Sequence, residues 1–176
     1  GVKFQYANIN YTIAGIMLTR VLKSVNHEDS FSKALRRYFL KPLNLSSTYF
    51  AGEEYVGKNL AKGHVDLGAG HIVNYIWPDF HVLRISNFPG SIASTPEDLS
   101  RWAEALWGYN QSGSEILSDE SLREMLTSNN QYGLGTQFFN IDIDIGTGLD
   151  IDVEFVGHTG SEIIYSGLLL HNRDTG

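Results

Sequence analysis

Three short strings in this sequence combine residue types that do chemistry. Tyr6-Ala7-Asn8 sets a phenol and a carboxamide two positions apart at the entrance to an apolar-periodic stretch, where they also read as a packed ring and a helix cap. Gly157-His158-Thr159-Gly160 sets an imidazole and a hydroxyl between two glycines at a strand boundary, and glycine there allows close backbone approach. Taken alone, that string also reads as a turn. Ser30-Phe31-Ser32-Lys33 spaces a hydroxyl and an amine by three, one turn apart on a capped helix, which is the register that activates a serine nucleophile.

Other candidate chemistry reads as structure. Asp142-Ile143-Asp144 followed by Gly146, Gly148 and Asp150 has the look of a calcium loop, but Val153 stands twelfth from Asp142, where such a loop needs Glu. A solvated strand face is the better account. The histidines His27, His64, His71, His81, His158 and His171 show no metal-binding helical spacing, so no metal site is expected. There is no cysteine, which excludes disulfides and thiol catalysis. Twenty acidic against 13 basic residues give a net charge of −7, a poor match to nucleic acid or anionic lipid; small-molecule or peptide substrates remain. No apolar run reaches the ~20 residues of a membrane span, and no signal peptide is expected within these residues.

These groups need elements to position them, and 176 residues with 42% apolar content suit one folded domain. Ile9, Ile13, Ile16, Met17 and Val21 predict an amphipathic helix over Asn8 to Leu22. A second helix is expected from about Ser30 to Leu40, capped by Asp29 or Ser30 and ended by Pro42. Residues 51 to 94 read as an excursion with strand-like pieces at His71 to Trp77 and His81 to Ile85. Its aromatics Trp77, Phe80 and Phe88 either line a pocket rim or pack on the core. Thr95-Pro96-Glu97-Asp98 starts a helix that runs to Trp107 and ends at Gly108, and Ser118-Asp119-Glu120 starts a short one reaching Leu126. The period then becomes two. Ile141, Ile143 and Ile145, then Leu149, Ile151, Val153 and Phe155, alternate with acids in a β-hairpin, and Ile163 to Leu170 reads as a strand covered on both faces. The fold class is α+β: residues 1–130 mainly helix and loop, 131–176 antiparallel strands. The opening without Met and the turn-like close give the expectation of a partial domain, incomplete at both ends.

In order along the chain, Phe4-Gln5-Tyr6-Ala7-Asn8-Ile9-Asn10-Tyr11, Leu40-Lys41-Pro42-Leu43-Asn44-Leu45-Ser46-Ser47-Thr48, Gly90 to Trp102, Tyr132-Gly133-Leu134-Gly135 and Gly157-His158-Thr159-Gly160 resemble the serine β-lactamase superfamily. The branch it is most similar to holds the class C β-lactamases, D,D-peptidases and esterases. By that resemblance Tyr6-Ala7-Asn8 matches the second active-site motif and His158-Thr159-Gly160 the third. The first, Ser-x-x-Lys, belongs well ahead of Tyr6, and only five residues precede it. Ser30-Phe31-Ser32-Lys33 lies after Tyr6 in what the resemblance makes a peripheral helix; Ser91 and Ser94 match a structural helix lead-in.

The resemblance implies acyl transfer to a serine from an amide, peptide, lactam or ester, with no cofactor. Tyr6 would shuttle the proton, and as a base it needs a cation to lower its pKa from ~10. Asn8 would hold the substrate's acyl side chain, Thr159 and Gly160 would bind substrate, and the Ser161 N–H would serve the oxyanion hole. His158 stands where β-lactamases carry a charged Lys, so esterase, peptidase or amidase chemistry is expected over lactam hydrolysis, with a change in rate across about pH 6 to 7. The 176 residues alone are expected to be inactive. A non-catalytic binding module, or an enzyme assembled with the remainder of its own domain, are the alternatives. The cell envelope or exterior is the implied location.

Overall fold

The computed structural model describes residues 4–26, 30–56, 60–74, 88–108, 113–127, 131–144, 150–161 and 164–176. The chain forms two compact units, one of Gln5–Asp98 with Gly160–Gly167, the other of Gly1–Phe4, Leu99–Thr159 and Leu168–Gly176.

The first of these begins with helix α1 (Asn8–Asn26), about one turn longer than its periodicity predicts. Helix α2 (Phe31–Leu35) follows, capped by the Ser30 hydroxyl. The expected continuation to Leu40 is present but wider, as a π-helical turn over Arg36–Leu40 that buries Leu40. Strand β1 (Tyr49–Phe50) pairs antiparallel with β4 (Ile92–Ala93), and β2 (His64–Asp66) with β3 (Ile72–Asn74). The β2–β3 turn needs its glycines, because Gly68 and Gly70 hold φ of +90° and +80°. Phe88, a candidate for a pocket rim, is instead packed: its ring meets Phe31 and Phe50 at centroid distances of 5.1 and 5.7 Å. The pieces at Trp77, Phe80 and His81 to Ile85 lie outside the described residues. Asp98 is buried and accepts the Ser47 N–H at 2.8 Å and the Thr48 hydroxyl at 2.9 Å, tying the start of the next helix to the 47–48 segment.

That helix, α3 (Pro96–Trp107), has the bounds its sequence signals. The Thr95 hydroxyl accepts the Asp98 N–H, Pro96 occupies the first turn, and Gly108 leaves the helix at φ +77°. Helix α4 (Asp119–Met125) is capped by Ser118 in the same manner. The sheet follows in spatial order β5 (Gln137–Asp144), β6 (Asp150–Ser161), β7 (Ser166–His171). Ala103, Leu106 and Trp107 of α3 pack with Leu122 of α4 and Val156 of β6, and Phe138 and Leu169 close the cluster. Burial of such apolar area is what holds helix and sheet together, at roughly 25 cal/mol per Å².

Two expectations change. Strand β7 is not covered on both faces: Ser166 to Leu168 are exposed and burial is reached only at His171. It forms one edge of the three-stranded sheet, as β5 forms the other, and Leu169 supplies its contact with the core. The apolar stripe of α1 is also largely solvent-facing, with Ile9, Ile13, Met17 and Val21 each half or more exposed. Among its described residues the one buried position is Gly15, over which Phe88 sits so closely that a Cβ would overlap the ring. None of the described helices is long and apolar enough to cross a membrane.

Candidate active site

Tyr6 precedes α1 and is exposed, while Asn8 is the first residue of the helix. Asn8 is therefore one position past the place of a capping side chain; the first turn is closed by the Asn10 N–H donating to the Ala7 carbonyl at 3.1 Å. Partial burial, and then the neighbouring Tyr11 phenol, push the Tyr6 hydroxyl above the ordinary tyrosine pKa. That direction is opposite to what a base requires, and a cation at Tyr6 would have to overcome it.

His158 lies on β6, in the other unit. Its ladder with β5 ends at the rung Gln137↔Gly157, so β6 runs on through His158, Thr159, Gly160 and Ser161 past its neighbour. The Tyr132 hydroxyl is 2.9 Å from His158 Nε2, and the rings meet edge to face at 5.7 Å and 81°. His158 Nδ1 bonds the Thr159 carbonyl. Thr159 in turn donates both its N–H (2.7 Å) and its hydroxyl (3.1 Å) to the Gln137 side-chain oxygen. Phe4 packs on the far partner of this chain of contacts, 5.4 Å from the Tyr132 ring.

The glycines around His158 divide. A Cβ at Gly157 would stand 1.9 Å from the Leu169 carbonyl oxygen, so β7 passes too near for any side chain. Asn172 reaches the Glu154 carbonyl three residues back, so β7 runs antiparallel to β6. At Gly160 nothing lies within 4 Å of the same position. Thr159, Gly160 and Ser161 are exposed.

Tyr132 and Gln137 were not singled out as site residues by sequence. A tight loop delivers both: the Gly133 N–H donates to the Thr136 carbonyl at 2.8 Å, Tyr132 bridges to Gln137, and Gly135 takes φ +70°. Gly133 is required because a Cβ would lie 2.0 Å from the Met125 carbonyl oxygen. The fully buried Thr136 accepts the Trp107 indole N–H at 3.3 Å, which anchors the loop to the core. Polar residues flanking a glycine-rich turn were the available signal.

The alternative serines are engaged in structure. Ser30 Oγ accepts the Lys33 N–H and meets Ser32 Oγ at 3.2 Å. Ser91 is fully buried, and Ser94 bonds the Thr48 hydroxyl at 2.7 Å. Among the described residues no three His, Asp or Glu side chains gather as a metal site.

A family comparison gives the class. The Beta-lactamase family model matches residues 1–176, and the chain belongs to that family. Among solved structures it is similar to a D-amino acid amidase from Ochrobactrum anthropi SV3 complexed with D-phenylalanine, with TM-score 0.74, 21% identity, and coverage of 99% of this chain and 49% of that one. A D-stereospecific amidohydrolase from Streptomyces sp. gives TM-score 0.67, 24% identity and coverage of 99% and 48%. Protein flp of Staphylococcus aureus is 28% identical over 102 residues, which is 58% of this chain and 19% of that protein. The chain thus spans about half the length of these solved structures and about a fifth of that curated relative.

Proposed function

We propose that these residues form part of a serine hydrolase that cleaves an amide, peptide or ester through an acyl-enzyme. The observation that carries this reading is the ordered pair of motifs, Tyr6-Ala7-Asn8 leading into α1 and His158-Thr159-Gly160 on β6, within a chain of the Beta-lactamase family. Tyr6 is assigned the proton shuttle, Asn8 the acyl side chain, and Thr159 and Gly160 substrate binding. Ser161 N–H is one donor to the oxyanion, beyond the last rung with β5. His158 in the place of a charged Lys favours amide and ester carbonyls over lactams, and the amidase neighbours support that preference.

The single Ser-x-x-Lys string in the chain, Ser30 to Lys33, caps a helix, so the nucleophile is assigned to residues outside these 176. A fluorophosphonate probe and a chromogenic ester test this. The chain alone should be neither labelled nor active; labelling at Ser30, Ser91 or Ser161 would overturn the assignment. In a polypeptide with a Ser-x-x-Lys segment joined ahead of Tyr6, Tyr6→Phe should lower kcat/KM by about 10² or more.

A second reading, a non-catalytic binding module with the same fold, is favoured by the raised pKa of the Tyr6 phenol. Absence of any probe-reactive serine in the joined polypeptide would select it.

A further inference from the structure

We propose that Tyr132 is a positioning residue that fixes His158 as its Nδ1–H tautomer, with Nε2 kept as an acceptor. A carbonyl oxygen has no proton to donate, so the bond between His158 Nδ1 and the Thr159 carbonyl places the hydrogen on Nδ1. In a neutral imidazole the other nitrogen is then an acceptor, and the Tyr132 hydroxyl, 2.9 Å from Nε2, donates to it. Both ring nitrogens are thereby engaged by groups that are themselves held.

The holding is built into the backbone. Tyr132 and Gln137 bridge across one turn. Tyr132 reaches the imidazole, while Gln137 takes both donors of Thr159, whose carbonyl receives Nδ1–H. Gln131, immediately before Tyr132, takes φ +63°, a strained setting for a residue with a side chain, and its carbonyl accepts the Phe138 N–H at 3.0 Å. The turn is locked from beneath by Gly133 against Met125 and by the Thr136–Trp107 bond. One loop thus fixes orientation and tautomer together.

The consequence for catalysis rests on the hydrolase reading above. A neutral His158 of this tautomer has its N–H engaged with Thr159 and a phenol on its other nitrogen, so it offers no donor to a carboxylate. The substrate class this selects is an amide or ester with no carboxylate at that position.

The tautomer is readable without turnover. In the ¹⁵N-labelled chain, long-range ¹H–¹⁵N spectra at a pH where histidine is neutral should give His158 Nδ1 a pyrrole-type shift and Nε2 a pyridine-type shift. Tyr132→Phe keeps the ring and removes the donor, and the two shifts should move toward each other as the Nε2–H form gains population. An Nε2–H tautomer in the unsubstituted chain would overturn the proposal, a result that does not depend on the variant folding. Unchanged His158 shifts in folded Tyr132→Phe would overturn it equally. Loss of hydrolase activity bears on the proposed function alone, since the tautomer is read from the imidazole itself.

Discussion

The hydroxyl of Ser30 is turned onto the backbone N–H of Lys33, three residues along the same helix. A Ser-x-x-Lys pair that closes on itself in this way is a cap. Ser30→Ala should therefore cost the fold about 1 kcal/mol, read by urea unfolding, and leave probe labelling unchanged. A change in labelling with no change in stability would reverse the assignment.

Glu53 completes the same cap from a distant loop, accepting the Ser32 N–H at 2.9 Å and the Phe31 N–H at 3.3 Å. Burial pushes its carboxyl up, but these N–H donors and the Ser32 and Ser30 hydroxyls together hold it below its ordinary value of 4.5. A lowered folded pKa gives stability that is present above the unfolded value and lost as pH falls through the folded one. Glu53→Gln should destabilise the chain by roughly 0.5–2 kcal/mol near neutral pH, and the difference from the parent should vanish on acidification. A difference that is the same at both ends of the range would show that charge is not involved.

Asp142 and Asp152 face each other directly across β5 and β6, between the rungs Asn140↔Glu154 and Asp144↔Asp150. The Asp152 carboxyl, by hydrogen bond and then by charge, raises Asp142 above 3.8, with burial adding to it. Here the sign is reversed: the stabilising proton is held below the unfolded value and lost as pH rises through the folded one. Asp152→Asn should raise the melting temperature at neutral pH, since like charges opposite one another weaken a ladder. The gain should shrink on acidification; a gain independent of pH would mean that repulsion is not its source.

Gly157 and Gly160 should respond differently to the same substitution. Gly157→Ala drives a methyl into the Leu169 carbonyl and should cost about 1–3 kcal/mol or more, measured by thermal unfolding. Gly160→Ala meets open space and should leave stability within about 0.5 kcal/mol. Equal losses at both positions would mean that β7 does not approach β6 as described.

Local signals were legible in the sequence. Thr95, Pro96 and Gly108 delimit α3 because each acts on its own few residues, and strict alternation from Ile141 to Phe155 identified the β5–β6 pair. The Tyr6 and His158 strings were also visible, as residue types at recognisable spacing. What escaped depends on contacts between distant segments. Glu53 reaches Ser32 across 21 residues and Tyr132 reaches His158 across 26, and no periodicity encodes either. The exposure of Ser166 to Leu168 on β7 is set by what packs beside them, and Phe88 is packed because Phe31 and Phe50 meet it there.

Ile9, Ile13, Met17, Val21 and Val25 recur every fourth residue along α1, and each is at least half exposed. At 1.5 Å per residue that ridge is about 24 Å long, an oily rail lying in water. A purified polypeptide carrying such a strip is expected to take up amphiphilic dyes and to self-associate as its concentration rises.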